Sequence, residues 1–354
     1  MQQNSPARDA DLESFISSPC MRHATKYNPQ GSSNERRARK KYDIPLSREI
    51  IGVPHPIPYQ GSKRWIGKAI VSCFPEGCVR LIEPFAGSAS VTLAAAYYGR
   101  AQRFWMNDIN APLMDLWRAI AERPDELADR YEHLWNAQKG RERAFYDEVR
   151  AEFNRQHHPD GFLYLLARCV KAAIRYNTKG EFNNSPDNRR KGAHPETMRR
   201  HILSAAALLG GKTDFAASDY REVLDSARST DVIYMDPPYQ GVCRNRDQRY
   251  VRGVPFEEFV AALKGLNARR VPFIVSYDGR TGDKTYGPPL PESLDLLHLE
   301  VDAGRSTQAT LLGRATRTYE SLYLSPALMA AIGQLPTALR AKPQQATFAF
   351  SCEP

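Results

Sequence analysis

The sequence predicts an α/β fold in which a doubly wound parallel sheet is interrupted by a helical insertion. A strand, a glycine-containing turn, a helix and a second strand follow one another between residues 79 and 108, which is the βαβ order of such sheets. Strand patterns are then scarce until Asp214, after which strands and a helix alternate again.

The elements of this sheet follow from local patterns. Val79–Glu83 alternates like a strand, the alanine-rich stretch Ala89–Tyr98 favours a helix that Gly99 ends, and Arg103–Met106 is the second strand. Apolar residues at helical spacing precede the first strand, at Ile66, Ile70, Cys73 and Phe74. Further helices are predicted over Leu113–Ala121, Phe145–Phe153, Phe162–Ala173 and Phe256–Leu266, and further strands over Val232–Met235 and Phe273–Ser276.

Length and composition favour one large or two medium globular domains. The chain has 354 residues, of which 42% are hydrophobic and 25% charged, values typical of globular proteins. Six dispersed cysteines without metal-ligand spacing indicate reduced thiols and no metal site. Since the N-terminus is polar and no apolar run approaches a membrane span, we expect a soluble, cytoplasmic protein with no membrane contact.

The charge balance favours a polyanionic partner, with nucleic acid as the first candidate. Lys and Arg total 49 against 40 Asp and Glu, a net charge of +9. The densest basic segment, 168–200, contains nine basic residues against three acidic ones. We expect residues 1–50, with the run Glu35–Lys41, to be a flexible basic arm, either a solvated tail or a DNA-contacting arm.

The most informative motif is Asp236-Pro237-Pro238-Tyr239, directly after an apolar strand. Open α/β sheets bind ligands at the carboxyl ends of their strands. A carboxylate and a backbone carbonyl can each accept one N–H of an exocyclic amine on a nucleobase, and the prolines fix the directions of both acceptors. The Tyr239 ring offers a stacking face for an extruded base. A polar turn after a buried strand is the alternative.

Together with four other segments, this motif resembles the Dam-type (D12 class) DNA adenine-N6 methyltransferases. The segments occur in the family's order and are Tyr59–Lys63, Glu83–Val91, Asn107–Asn110 and Arg175–Asn183. The resemblance implies a Rossmann-like sheet that binds S-adenosylmethionine, with an inserted helical target-recognition domain. The implied boundaries are a catalytic domain in two parts, 51–110 and 213–330, an insertion at 111–212 and a C-terminal tail at 331–354.

The same resemblance implies roles for the cofactor site. Tyr59 and Lys63 would contact S-adenosylmethionine, Lys63 through its carboxylate, and Asp108 would accept hydrogen bonds from the ribose hydroxyls. Lys63 could instead be a surface charge, and Asp108 an N-cap. The predicted cofactor-binding residues are Tyr59, Lys63, Glu83, Phe85, Ala86, Gly87, Asp108, Asp219, Tyr220 and Asp236.

Two departures from the family pattern affect these expectations. Ala89 stands where the family has a second glycine, so we expect any requirement for a positive φ there to be relaxed or absent, with a slightly altered loop that still binds. Val170-Lys171-Ala172-Ala173 replaces the residues that wedge into the base stack in Dam. A GATC target is therefore not supported.

The predicted DNA contacts lie in two basic segments. Arg175 matches a guanine-reading arginine and suits a bidentate contact to O6 and N7. The loop after the catalytic motif would clamp phosphates around an extruded nucleotide, or would be an unstructured surface loop. The predicted contacts are Arg175, Tyr176, Asn177, Lys179, Asn183, Arg189, Arg190, Arg244, Arg246 and Arg249.

The sequence therefore predicts an S-adenosylmethionine-dependent enzyme that flips an adenine out of double-stranded DNA and methylates N6 by direct in-line transfer. The catalytic residues would be Asp236, Pro237, Pro238 and Tyr239. N4-cytosine methylation and a catalytically silent DNA-binding homologue are the alternatives, and an RNA adenine methylase is less favoured. A cognate restriction enzyme or defence-system component is left open as a partner.

Overall fold

One mixed sheet organises the computed structural model, which describes residues 52–238, 254–281, 284–285, 288–305, 317–336 and 339. These residues lie within a unit that spans Ile50–Pro354. The eight strands of the described residues are β1 (Arg80–Glu83), β2 (Arg103–Asn107), β3 (Thr213–Ala216), β4 (Asp231–Met235), β5 (Phe273–Thr281), β6 (Lys284–Thr285), β7 (Leu297–Arg305) and β8 (Arg317–Leu324).

The strand order places a ligand crevice beside β1. The order is β3-β2-β1-β4-β5-β8-β7, with β6 beside β5. Pairing is parallel from β3 to β5, whereas β8 runs antiparallel to both β5 and β7. The chain moves outward from β1 to β3 and then returns to place β4 on the other side of β1. Such a switch point opens a crevice at the carboxyl ends of the strands.

Helices cover both faces of the sheet. Those that precede β4 are α1 (Gly67–Ser72), α2 (Ser90–Tyr97), α3 (Ala111–Glu122), α4 (Pro124–Ala137), α5 (Glu142–Gln156), α6 (Pro159–Arg168), α7 (Pro195–Leu209) and α8 (Tyr220–Asp225). Two more follow it, α9 (Phe256–Ala268) and α10 (Pro326–Ile332).

Two apolar clusters divide the interior because successive strand residues point to opposite faces. Leu81 belongs to the cluster under α1 to α7, whereas its neighbour Ile82 belongs to the cluster under α8 and α9. The first cluster continues without a break into the helical insertion, where the rings of Phe153 and Phe162 stack at a centroid distance of 4.6 Å. The insertion and the sheet therefore share one core.

Most predicted elements are confirmed, including the strands that end at Glu83 and Met235 and the helix from Phe256. The helix predicted over Phe162–Ala173 is wrong beyond Arg168. Cys169 is extended, and Lys171 and Ala172 adopt left-handed backbone conformations, with φ of 60° and 49°. A helix cannot continue through such residues.

Two further sequence expectations concern cysteines and membrane spans. The cysteines of the described residues, Cys73, Cys78 and Cys169, are buried free thiols, as predicted. In the described ranges, no helix combines the length and apolar character needed to cross a membrane.

Candidate active site

A cavity of about 660 Å³ opens at the carboxyl ends of β1, β2 and β4. Every predicted cofactor-binding residue lines it, as do the three predicted catalytic residues that the structure describes. Tyr239 lies outside the described residues. The predicted residues on its wall are Tyr59, Lys63, Glu83, Phe85, Ala86, Gly87, Asp108, Asp219, Tyr220, Asp236, Pro237 and Pro238.

A buried ion pair between Lys63 and Asp236 marks the floor of this cavity. The Lys63 ammonium lies 2.9 Å from both Oδ1 and Oδ2 of Asp236 and is 7% exposed. Burial alone would lower the pKa of Lys63, but Asp236 and Glu320 reverse that effect and raise it. Lys63 is therefore charged at neutral pH and fixes the Asp236 carboxylate. Lys63 is therefore not the surface charge of the alternative prediction, because its ammonium points into the protein and contacts Asp236.

Glu320 is a site residue that the sequence analysis missed. It projects from β8, and its Oε2 lies 3.7 Å from the Lys63 ammonium. Two carboxylates thus share one buried ammonium. The antiparallel pairing of β8 with β5 brings Glu320 to the cavity.

The turn after β1 approaches the cavity with its backbone. Gly87 has φ of 48°, and a Cβ placed there would lie 3.3 Å from the Tyr59 ring. The buried Trp117 indole donates to the Gly87 carbonyl at 2.9 Å. Ala89 has φ of 47°. The expectation that the requirement for a positive φ is relaxed or absent at Ala89 is therefore wrong: the turn keeps its left-handed geometry with an alanine in it.

Asp108 ties this turn to the end of β2. Its Oδ2 accepts from the Gly87 amide and its Oδ1 from the Asn110 amide, both at 3.0 Å. A carboxylate has about four acceptor positions, so both oxygens can accept further hydrogen bonds. Burial raises the pKa of Asp108.

Glu83 is buried at the end of β1 and faces the start of α2. It accepts hydrogen bonds from the Thr92 amide at 3.1 Å and the Thr92 hydroxyl at 2.5 Å. Burial raises the pKa of Glu83 to about 8, and the two Thr92 contacts only partly oppose that shift. Glu83 is therefore largely protonated at neutral pH.

An aromatic cluster closes one end of the cavity. The rings of Phe85 and Tyr220 lie 5.1 Å apart, and Phe259 packs against both. Within the described part of the chain, the buried Tyr220 hydroxyl has no hydrogen-bond partner. The neighbouring Asp219 carboxylate caps α8 and pairs with Arg221 at 2.9 Å.

The cavity rim is formed partly by the helical insertion. The Gln60 amide donates to the Ala172 carbonyl at 3.0 Å, and Lys171 to Ile174 line the opening. The left-handed backbone at Lys171 and Ala172 turns this segment across the mouth. Three residues of the segment in which the sequence predicted no wedge residues, Lys171, Ala172 and Ala173, thus line the cavity.

The segment after the rim forms a tight hairpin. Tyr176 bridges to Phe182 and donates its hydroxyl to Asn110 Oδ1 at 3.0 Å. Asn177 accepts from the amides of Lys179 and Glu181 at 2.9 and 3.0 Å, so its side chain shapes the turn. The side chains of Arg175, Lys179 and Asn183 are exposed.

The basic segment 168–200 is less basic at its surface than the sequence indicates. Arg168 and Arg199 are buried, and Arg199 pairs with Asp129. Lys191 pairs with Glu142, and Arg190 with Asp187. Arg189 is exposed. The remaining predicted contacts, Arg244, Arg246 and Arg249, lie outside the described residues.

In the ranges described, no group of three or more His, Cys, Asp or Glu side chains is arranged to hold a metal ion.

The sheet order and the cavity define a Rossmann-like methyltransferase fold. The model of one protein family, described as D12 class N6 adenine-specific DNA methyltransferase, matches residues 59–300. The chain belongs to this family.

Curated relatives match about half of the chain. A DNA N-6-adenine-methyltransferase of Escherichia phage P1 is 32% identical over 190 residues, which are 51% of this chain and 23% of the relative. The retron Ec67 DNA adenine methylase of Escherichia coli is 31% identical over 52% of this chain and 63% of its own length. The DNA adenine methylase of Escherichia coli K12 is 27% identical over 55% of this chain and 70% of its own.

Proposed function

We propose that this protein transfers a methyl group from S-adenosylmethionine to N6 of an adenine that is flipped out of a specific double-stranded DNA sequence. The observation that carries the proposal is the Asp236 carboxylate, held by buried Lys63 at the end of β4 and facing a cavity of about 660 Å³. Family membership and the names of the relatives support the same chemistry.

The catalytic task of Asp236 is to hold a poor nucleophile. The amine of adenine is weakly nucleophilic because its lone pair is delocalised into the ring. Asp236 and the Pro237 carbonyl would each accept one N–H of that amine, which favours a tetrahedral nitrogen. Lys63 prevents the carboxylate from rotating away, and the fixed geometry lowers the entropic part of the barrier. Tyr239 would stack on the extruded base.

The cavity residues fit S-adenosylmethionine. The aromatic rings of Phe85 and Tyr220 suit its adenine, and the Tyr220 hydroxyl can bond to a ring nitrogen. Asp108 suits the ribose hydroxyls, and the close backbone of Gly87 suits the methionine portion. When bound, the cofactor supplies an electrophilic sulfonium methyl, so no metal or covalent enzyme intermediate is needed. The cation of Lys63 can also bind the methionine carboxylate.

The helical insertion is the proposed target-recognition domain. Arg175, Lys179 and Asn183 are exposed on the hairpin that continues from the cavity rim, which supports a contact to DNA beside the flipped base. Arg175 would read a guanine, and Arg189 and Arg190 would contact phosphates. We assign Tyr176 and Asn177 to the folding of the hairpin, since their polar groups bond within the protein.

A methyl-transfer assay tests the proposal. Labelled S-adenosylmethionine is incubated with unmethylated genomic DNA and wild type, Asp236→Ala or Asp115→Ala. Asp115 is an exposed carboxylate on α3 whose surface ion pair has little influence on stability. Wild type and Asp115→Ala are expected to transfer methyl, and Asp236→Ala to lose about 100- to 1,000-fold in rate, as for the loss of one preorganised hydrogen-bonding group.

A nucleoside digest and single-molecule sequencing then identify the product. N6-methyladenine in one short motif supports the proposal, whereas N4-methylcytosine would show that the substrate base is cytosine. Binding of S-adenosylmethionine and DNA without transfer by wild type would instead identify a silent DNA-binding homologue.

A further inference from the structure

A large aromatic side chain stands in solvent next to the cavity. Trp65 is 79% exposed, two residues after the buried Lys63. Leaving an indole in water forgoes a favourable burial, and exposed aromatic side chains often mark interaction sites. Tyr98, at the end of the adjacent helix α2, is 40% exposed.

Two exposed cations contact these two rings, and a third, Arg200, is exposed on α7. The Arg64 guanidinium carbon lies 5.0 Å from the Trp65 ring centroid, and the Lys68 ammonium 5.6 Å from that of Tyr98. Arg200 lies on α7, where the neighbouring His201 accepts a hydrogen bond from the His55 amide at 3.0 Å. Burial lowers the pKa of both histidines; Arg64 lowers both further, and Arg200 lowers that of His201.

Acidic groups do not neutralise these cations in the part of the chain that the structure describes. No carboxylate there lies within ion-pair distance of Arg64, Lys68 or Arg200, although Glu196 stands one turn before Arg200 on α7. We call Arg64, Trp65, Lys68, Tyr98 and Arg200 the α1 patch. Its neutral histidine neighbours add no charge, so the patch carries three positive charges.

The α1 patch continues from the cavity mouth. Gln60 and Gly61 line the cavity and lie just before Arg64 in the chain. The Gln60 amide is bonded to the Ala172 carbonyl, beside the exposed Lys171 and the hairpin with Arg175. Positive side chains therefore follow one another from the hairpin, past the cavity opening, onto α1 and α7.

We propose that the α1 patch is a second DNA-contact surface, which binds the phosphate backbone of duplex DNA beside the cavity mouth. The proposal rests on the proposed function, since the flipped base fixes where the duplex passes. The three cations would neutralise phosphates, and Trp65 would pack on the sugar-phosphate chain. An acidic protein could also bind three cations, but the continuity with the cavity mouth favours the DNA substrate itself.

Salt-dependent binding tests the α1 patch. Affinity for a long duplex, about 40 base pairs, is measured against salt concentration without cofactor for wild type and Arg64→Gln/Lys68→Gln/Arg200→Gln. Each lost phosphate contact lowers the slope of log affinity against log salt by about 0.9, so the expected loss is about 2 to 3. Affinity near physiological salt should fall roughly tenfold or more.

A charge-matched triple variant controls for net charge. Three exposed cations lie away from the α1 patch. Arg103 begins β2 and Lys212 directly precedes β3, both at the amino edge of the sheet, and Lys264 is on α9 across the sheet. Arg103→Gln/Lys212→Gln/Lys264→Gln is expected to keep the wild-type slope. Equal slopes for both triples and wild type would overturn the proposal, as would equal losses in both triples.

Trp65 provides a second readout. DNA is expected to protect tryptophan emission from acrylamide in wild type, and Trp65→Phe should lose most of that protection. Unchanged protection in Trp65→Phe would contradict a contact at Trp65. These measurements require no methyl transfer. If Arg64→Gln/Lys68→Gln/Arg200→Gln lost slope as expected but wild type did not methylate DNA, the result would contradict only the proposed function.

Discussion

Ala89 occupies a backbone conformation that usually belongs to glycine. Its φ of 47° costs a residue with a Cβ about 1–2 kcal/mol. The methyl group is fully buried, which returns about 0.8 kcal/mol. An alanine also loses less chain entropy than a glycine on folding, by about 0.5–1 kcal/mol. These contributions nearly cancel, which explains how the turn keeps its shape without a second glycine.

Ala89→Gly is therefore expected to change the free energy of unfolding by less than about 1 kcal/mol. Ala95, equally buried but inside α2, is the matched control. Ala95→Gly should destabilise by about 2 kcal/mol, since it loses helix propensity as well as burial. Urea unfolding measures both. Equal losses in the two variants would show that the left-handed backbone of Ala89 does not set its energy.

Glu83 gives the stability of the protein a pH dependence of its own. Its pKa is raised from 4.5 to about 8 by burial, so the folded state keeps a proton that the unfolded chain releases. More protons are then bound in the folded state, and the free energy of unfolding falls as pH rises from about 4.5 to 8.

Glu83→Gln should remove this decline while keeping an acceptor for Thr92. Between pH 5 and pH 8, the variant is expected to gain about 3.5 kcal/mol relative to wild type, because the folded state alone holds the proton over most of this interval and each pH unit is worth about 1.4 kcal/mol. Chemical unfolding at several pH values measures the difference. Parallel stability curves would mean that Glu83 ionises normally in the folded protein.

At the scale of elements, an irregularity in β5 controls the approach of β8. The register of the two strands shifts between Tyr277 and Arg280, and Asp278 has φ of 45°. A Cβ on Gly279 would lie 2.8 Å from the Tyr319 carbonyl and 3.3 Å from Glu320 Oε2. A glycine at this position therefore lets Glu320 reach the Lys63 ammonium.

Gly279→Ala is expected to destabilise by about 1–3 kcal/mol through overpacking and to slow methyl transfer by displacing Glu320. Gly265, inside α9, is the control, because a Cβ there would have no atom within 4 Å outside its own helix backbone and chain neighbours. Gly265→Ala should stabilise by about 0.5–1 kcal/mol and leave methyl transfer unchanged. Thermal unfolding and initial rates measure both; a Gly279→Ala protein as stable and active as wild type would refute this account of the bulge.

The elements that can be predicted from the sequence are those whose pattern lies in a short, continuous stretch of the chain. Glu83, Asp108 and Asp236 each lie at the end of a strand or directly after one, and because parallel strands end at one edge, their convergence could be predicted. Glu320 lies within a strand, and its place depends on a long-range antiparallel pairing. The end of α6 was missed because the left-handed conformations of Lys171 and Ala172 have no glycine to signal them.

At the scale of the whole molecule, the helical insertion and the sheet are joined at the candidate active site as well as in the core. Trp117 of α3 donates to the Gly87 carbonyl, and Tyr176 of the hairpin donates to Asn110 after β2. Residues of the insertion such as Leu166 belong to the same apolar cluster as Leu81 of β1. Loosening the insertion should therefore disturb the proposed cofactor site.

This coupling predicts that the insertion and the sheet unfold in one transition. Leu166 is fully buried, and Leu166→Ala should destabilise by about 2–5 kcal/mol. The loss of helix, followed by circular dichroism, and the loss of S-adenosylmethionine binding should then shift to lower temperature together. If the insertion instead folds as an independent domain, cofactor binding would survive the first of two transitions, and the hairpin at Tyr176–Phe182 could move relative to the cavity without affecting it.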